Sequence, residues 1–83
     1  MARVTYRGYT YILKVAYNAS RPMSKDEILA VAGPTAALYN ITGENIDSVL
    51  RTMTVKDKVF TLRADGRYEL TDEGRKWGEV NSH

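Results

Sequence analysis

Ile46-Asp47-Ser48-Val49-Leu50-Arg51-Thr52-Met53 is the segment of this chain whose pattern indicates its architecture most clearly. Its apolar residues, Ile46, Val49, Leu50 and Met53, follow the i, i+3, i+4, i+7 spacing of one face of an α-helix. At about 100° per residue, the other three side chains fall within about 60° of Ile46. The pattern predicts a helix that buries this stripe and directs its polar residues away from the protein.

This helix is predicted to begin at Thr42, a favourable N-cap residue, and to end at Lys56, so that it spans residues 42–56. The side opposite the apolar stripe carries Glu44, Ser48, Arg51 and Val55, flanked by Asp47 and Thr52. Most polar helix faces of this kind are simply solvated. The same residue types can also pair with base edges, so this side is a candidate surface for reading DNA.

Two further helices are predicted upstream. Apolar residues at helical spacing predict a first helix over about 9–18. Ser24-Lys25-Asp26-Glu27 is a capping box, in which the serine hydroxyl and the glutamate carboxylate each accept a hydrogen bond from the other residue's amide. The second helix, which starts there, ends at Gly33-Pro34. A connector over 34–41, with room for one helical turn, leads to the third helix.

A β-hairpin is predicted downstream of the third helix. Residues 58–63 and 67–71 are predicted as two strands, because Phe60 and Leu62 alternate on one face, as do Tyr68 and Leu70. Asp65-Gly66 between them is a hairpin turn signal. Thr71 then caps a short last helix, whose predicted apolar anchors are Trp77 and Val80.

Composition excludes much of enzyme chemistry. The 83 residues suffice for one domain, predicted to span residues 1–83. The chain has no cysteine, and its single histidine is His83 at the end. Thiol nucleophiles, thiolate metal sites and histidine general bases are therefore excluded. We expect no enzyme activity, no catalytic residue, no metal site and no cofactor.

Charge and hydropathy bear on the partners and the location. The formal net charge of +2 is too small to establish a nucleic-acid partner by itself. Residues 1–23, however, hold Arg3, Arg7, Lys14 and Arg21 and no acid. No apolar run approaches the roughly 20 residues that a membrane helix needs, and the first residues do not form a secretory signal. We therefore expect a cytoplasmic protein with no membrane partner.

The order of elements over residues 42–76 resembles winged helix-turn-helix transcription regulators of the multiple-antibiotic-resistance and phenolic-acid types. Residues 46–53 lie where these families carry their recognition helix. Arg67-Tyr68-Glu69-Leu70-Thr71-Asp72-Glu73-Gly74-Arg75 resembles the way their wing closes into the next helix. The resemblance implies an α+β fold, a winged helix-turn-helix with a three-helix core, a two-stranded wing and a short C-terminal helix. It also implies a transcriptional regulator that binds double-stranded DNA. A homodimer is a further expectation, although no long helix for dimerisation is predicted.

The expected DNA contacts lie on the third helix and on the wing. Helix 42–56 would read the major groove, and the hairpin over 58–70 would contact the DNA backbone. The candidate DNA-binding residues are Thr42, Glu44, Asn45, Ser48, Arg51, Thr52, Lys56, Lys58, Arg63 and Arg67. The main alternative is a winged helix that serves as a protein–protein module in a larger assembly, which the acidic residues of the third helix favour. A binder of RNA or single strands is the third possibility.

Overall fold

The computed structural model describes residues 4–81, so Arg3 and His83 lie outside the described part of the chain. This part forms five α-helices and one two-stranded antiparallel sheet. Their order is α1 (Tyr6–Ala19), α2 (Lys25–Ala32), α3 (Thr35–Leu38), α4 (Ile46–Val55), β1 (Phe60–Leu62), β2 (Tyr68–Leu70) and α5 (Asp72–Asn81). The fold is α+β, as predicted, and its layout is compatible with a winged helix.

Local signals explain the first two helices. The Glu27 amide donates a hydrogen bond to Ser24 Oγ at 3.2 Å, and the Ser24 amide donates one to Glu27 Oε1 at 3.1 Å, which confirms the capping box. α2 ends at Ala32, and its C-cap is Gly33, whose φ of +63° is one that side-chain-bearing residues rarely adopt. α1 begins at Tyr6 and is longer than predicted. Gly8 does not interrupt it, because it is buried there in close contact with neighbouring side chains.

α4 begins at Ile46, later than the sequence predicts, and Thr42 is not its N-cap. Instead, Thr42 Oγ1 accepts a hydrogen bond from the Glu44 amide at 3.2 Å, and Asn45 Oδ1 accepts one from the Thr42 amide at 2.8 Å. Threonine and asparagine side chains compete for nearby backbone amides in this way, and here they close a separate turn over 42–45. The predicted helix 42–56 is therefore a turn followed by a shorter helix.

The core lies between α1, α2, α4 and the hairpin. The predicted stripe of α4 is confirmed, since its four members are at most 2% exposed: Ile46, Val49, Leu50 and Met53. They pack in one cluster with side chains from the rest of the domain, of which the most deeply buried are Ile12, Met23, Ile28 and Ile41. The opposite side of α4 consequently faces away from the protein.

The hairpin turn lies where the Asp65-Gly66 signal predicts it. The Arg63 amide donates to the Arg67 carbonyl at 2.8 Å and closes a loop over 64–66. The Gly66 amide donates to the Arg63 carbonyl at 3.0 Å, and Gly66 has a φ of +83°. This is the three-residue loop in which a glycine takes the left-handed position, rather than a two-residue turn.

The base of the hairpin is held by Thr71. Both strands are shorter than the predicted 58–63 and 67–71. The first begins only at Phe60, since the chain at Lys58 is left-handed, with a φ of +58°. Thr71 Oγ1 donates a hydrogen bond to the Lys58 carbonyl at 2.7 Å. The same oxygen accepts one from the Gly74 amide at 3.0 Å, which confirms Thr71 as the cap of α5. One side chain thus joins the start of the hairpin to the last helix.

α5 packs closely against its neighbours at two glycines, Gly74 and Gly78. Its predicted apolar anchor Val80 is instead 61% exposed. At Gly74, a Cβ would collide with the Val59 carbonyl oxygen. At Gly78, a Cβ would lie 2.7 Å from the ring of Tyr17 on α1. Residues four apart share one side of a helix, so the two glycines let α5 approach both the hairpin and α1.

Candidate nucleic-acid interface

The outer side of α4 presents Ser48 and Arg51 to solvent, as the buried stripe requires. Arg51 forms no hydrogen bond or ion pair with any residue from 4 to 81. Its guanidinium carries five N–H donors in a planar fork, which can pair with O6 and N7 of guanine. The Arg51 side chain is therefore available to an external partner.

A salt bridge joins the start of α2 to the first turn of α4. Lys25 Nζ lies 3.1 Å from Asp47 Oδ2, and the hydrogen bond and charge of Asp47 raise the pKa of Lys25. The pair is exposed to solvent and so contributes little to stability. Its effect on the surface is greater, because Lys25 offsets the negative charge of Asp47, which would repel phosphate.

Glu27 is the centre of a second charged cluster. Its Oε2 lies 2.8 Å from Arg21 Nη1, and its Oε1 lies 3.4 Å from Arg67 Nε. The hydrogen bond from Arg21, followed by that from the Ser24 amide, lowers the pKa of Glu27 from 4.5 to about 2. Each arginine keeps further N–H groups for other partners. Two guanidiniums around one carboxylate leave this cluster with a net positive charge.

The two charged clusters meet at the first turn of α2, beside the hairpin. The Met23 amide donates to the Tyr68 carbonyl at 3.0 Å, and the Tyr68 amide donates to the Met23 carbonyl at 2.7 Å, so β2 lies beside the chain that enters α2. Lys25 then connects α2 to α4. We call this surface the α2–α4–β2 face and define it by Arg21, Lys25, Glu27, Asp47, Ser48, Arg51 and Arg67.

Arg63 is paired with acids of its own hairpin. Its Nη2 lies 3.6 Å from Asp65 Oδ2, and its Nη1 lies 3.9 Å from Glu69 Oε2. The distances are long and the groups are partly exposed, so these pairs are weak. They nevertheless reduce the positive potential that the sequence suggests for this hairpin.

The predicted contacts at the start of the third helix lie in the turn over 42–45. Thr42 and Asn45 use side-chain atoms to close this turn, and Asn45 Nδ2 also donates to the Asn40 carbonyl. Glu44 is exposed in the same turn. Of these three residues, Glu44 therefore has the freest side chain, and its charge is unfavourable near phosphate.

Two other predicted contacts face a groove of about 510 Å³ between α1, the end of α4 and α5. Thr52 and Lys56 line this groove and so turn away from the side of Arg51. Trp77 is 44% exposed and lines the groove, so it is not a buried anchor of α5 as the sequence predicts. Lys58 is exposed at the base of the hairpin.

Arg21 and Lys25 belong to the α2–α4–β2 face, although sequence reasoning does not select them as DNA contacts. Lys25 lies in the first turn of α2, where the helix dipole disfavours a positive charge. This unfavourable position of Lys25 could have predicted an acidic partner, and the structure shows that the partner is Asp47. Arg21 carries no comparable signal, because its partners come together only in the folded chain.

Among residues 4–81, no helix combines the length and the apolar character that crossing a membrane requires. The same residues include no group of three or more His, Cys, Asp or Glu side chains arranged to hold a metal ion. No protein-family model matches the chain, and neither a curated protein nor a solved structure matches it significantly. The interpretation of the α2–α4–β2 face therefore depends on its own geometry and charge.

Proposed function

We propose that this protein is a winged-helix protein that binds double-stranded DNA sequence-specifically and acts as a transcriptional regulator. In this proposal α2 and α4 are the helix-turn-helix, α4 is the recognition helix and the β1–β2 hairpin is the wing. The observation that carries it is Arg51, which is exposed opposite the buried stripe and has no partner within residues 4–81. Because an α-helix fits the major groove, Ser48 and Arg51 would meet base edges there.

Phosphate contacts would come from the remainder of the α2–α4–β2 face. Glu27 orients Arg21 and Arg67 while leaving donors on both free for phosphate oxygens. Lys58 and Arg63 would extend this footprint along the wing, where Arg63 would exchange its two weak ion pairs for phosphates. Such contacts fix the register of the protein on the duplex and carry little sequence information.

Selection of bound duplexes from a random pool tests the proposal. We expect one motif to be enriched, and we expect affinity for it to fall steeply between about 50 and about 200 mM salt, because binding releases counterions from the DNA. A pool that enriches no sequence would contradict sequence-specific binding. Absence of DNA binding at both salt concentrations would contradict the proposal as a whole.

Arg51→Ala tests base reading by α4. We expect the variant to bind the selected site more weakly by about 1–3 kcal/mol, which is a factor of roughly 5 to 150, and to bind random duplex almost as the wild type does. Lys76→Ala on α5 is a control that removes the same charge from an exposed side chain on another element. Equal losses on both DNAs would mean that Arg51 contacts phosphate rather than bases.

The double variant Arg63→Ala and Arg67→Ala tests the wing. Loss of phosphate contacts should weaken binding to every duplex to a similar extent and should reduce the dependence of affinity on salt. Fluorescence anisotropy titrations at several salt concentrations measure both effects. A salt dependence equal to that of the wild type would remove the wing from the interface.

A protein–protein module in a larger assembly is the second candidate function. The acids Glu44 and Asp47 near the start of α4 favour it, as do the exposed apolar side chains of Val31 (53%) and Leu38 (80%). A module of this kind would show no DNA binding in the salt titration described above, so one experiment separates the two candidates.

A homodimer, a cytoplasmic location and the lack of enzyme activity remain predictions. We would place a dimer contact at the exposed apolar side chains of α1 and α5, namely Tyr6, Trp77 and Val80. Analytical ultracentrifugation of the purified protein measures the oligomeric state, and a monomer at all concentrations tested would contradict the dimer.

A further inference from the structure

Val55 adds an exposed apolar group to the outer side of α4. It lies one helical turn beyond Arg51 and is 67% exposed. On the helical wheel it falls between Ser48 and Arg51, within about 40° of both. The other large exposed apolar side chains of residues 4–81 lie on other elements: Tyr6, Val31, Leu38, Leu62, Trp77 and Val80. Among them, Val55 alone shares a helix side with the proposed base-reading residues.

We propose that Val55 is a specificity-determining residue that contacts the C5-methyl group of a thymine in the major groove. This inference rests on the proposed function and deepens it by naming a feature of the bound sequence. Thymine differs from the other DNA bases in presenting a methyl group in the major groove, where apolar side chains recognise it. Ser48 and Arg51 can pair with polar base edges, whereas Val55 can contribute only an apolar contact.

The geometry of α4 limits where this thymine lies. Val55 lies four positions after Arg51, and a rise of about 1.5 Å per residue places them about 6 Å apart along the helix axis. This span corresponds to about two base-pair steps of about 3.4 Å. The bound site should therefore contain a guanine, read by Arg51, and a thymine within about two base pairs of it.

Replacement of thymine by deoxyuridine tests this contact, because it removes the methyl group and preserves base pairing. Each thymine of the selected duplex is replaced in turn, and affinity is measured for the wild type, Val55→Ala and Val31→Ala. One replacement near the guanine read by Arg51 should weaken binding of the wild type about fourfold, the effect of one apolar carbon group. The same replacement should leave Val55→Ala unaffected. Val31→Ala removes an exposed valine of α2 and should respond as the wild type does.

The outcomes separate this inference from the proposed function. If a motif is enriched but no deoxyuridine replacement distinguishes the wild type from Val55→Ala, the role of Val55 is overturned and DNA binding stands. If the pool enriches no sequence, the proposed function fails at the selection step, and the inference fails with it. The test remains informative whatever the stability of the variant, because the loss in the wild type comes from a change in the DNA alone.

Discussion

Gly74→Ala is the substitution that tests most directly how the hairpin packs against α5. In an exposed helix interior, alanine is more favourable than glycine by about 1 kcal/mol. The sign should reverse at this position, because a Cβ would collide with the Val59 carbonyl oxygen and would lie 3.0 Å from Leu70 Cδ2. The carbonyl cannot swing away as a flexible side chain can, since it also accepts a hydrogen bond from the Thr71 amide at 3.0 Å.

The magnitude follows from these two opposing terms. Overpacking costs about 1–3 kcal/mol, and displacement of a backbone carbonyl belongs at the upper end of that range. Subtracting the gain in helix propensity leaves a loss of about 2 kcal/mol in the free energy of unfolding. For a domain of this size, such a loss lowers Tm by about 8–16 °C.

Urea denaturation followed by circular dichroism measures this loss, with two other glycines as references. Nothing lies within 4 Å of a Cβ built on Gly43, so Gly43→Ala should change stability by less than about 0.5 kcal/mol. Gly78→Ala should be intermediate, because its Cβ would lie 2.7 Å from the Tyr17 ring, a smaller overlap than that with the Val59 carbonyl oxygen at Gly74. If Gly74→Ala were as stable as the wild type, the close approach of α5 to the hairpin would be wrong.

Two further predictions concern Glu27 and Lys58. The pKa of Glu27 is about 2 in the folded protein against an ordinary 4.5, so the stability from its contacts with Arg21 and Ser24 is complete above pH 4.5 and is lost as the pH falls towards 2. The stability of the Glu27→Gln variant should therefore depend less on pH in this interval, which acid unfolding monitored by circular dichroism measures. A dependence of stability on pH parallel to that of the wild type would exclude this role of Glu27. Lys58→Gly should leave the free energy of unfolding unchanged or raise it by up to about 1 kcal/mol, because a φ of +58° strains a residue with a Cβ. Lys56 has a φ of −90°, so Lys56→Gly should lower the free energy of unfolding by about 0.5–1 kcal/mol. Equal losses of stability for both lysine variants in urea denaturation would contradict the left-handed backbone at Lys58.

The candidate DNA-binding surface combines charges that are separated along the chain. Lys25 neutralises Asp47 across the two helices, and Glu27 holds Arg21 and Arg67 together. All of these pairs are partly exposed, so their main consequence is the arrangement of charge rather than stability. Such ion pairs would hold the arginine side chains in position in the free protein, which would reduce the side-chain entropy lost when DNA binds.

Several features could be predicted because they depend on residues close together in sequence. The capping box of Ser24 and Glu27, the cap at Thr71 and the turn at Gly66 each involve residues two to four positions apart. The stripe of α4 is also visible in the sequence, since the helical period converts spacing directly into a common face. These signals were sufficient to predict the order of the helices and strands and the exposure of Arg51.

The residue at which α4 begins, and the surroundings of its polar residues Thr52 and Lys56, could not be predicted in the same way. Thr42 is a good helix cap by type, but Asn45 competes for its amide and draws it into a separate turn. Thr52 and Lys56 are polar, yet the packing of α1 and α5 beside α4 places them at a groove. Residue type alone does not distinguish an open helix side from one that borders a neighbouring helix.

The order of the helices and the hairpin, the caps at Ser24 and Thr71 and the buried side of α4 could be predicted from the sequence, because they depend on contacts within about one helical turn or one strand turn. Three contacts could be seen only in the folded chain: Lys25 with Asp47, Arg67 with Glu27, and Gly78 with the ring of Tyr17. These contacts join residues from different elements. They form only when burial of the apolar stripes brings those elements together, so no local pattern in the chain encodes them.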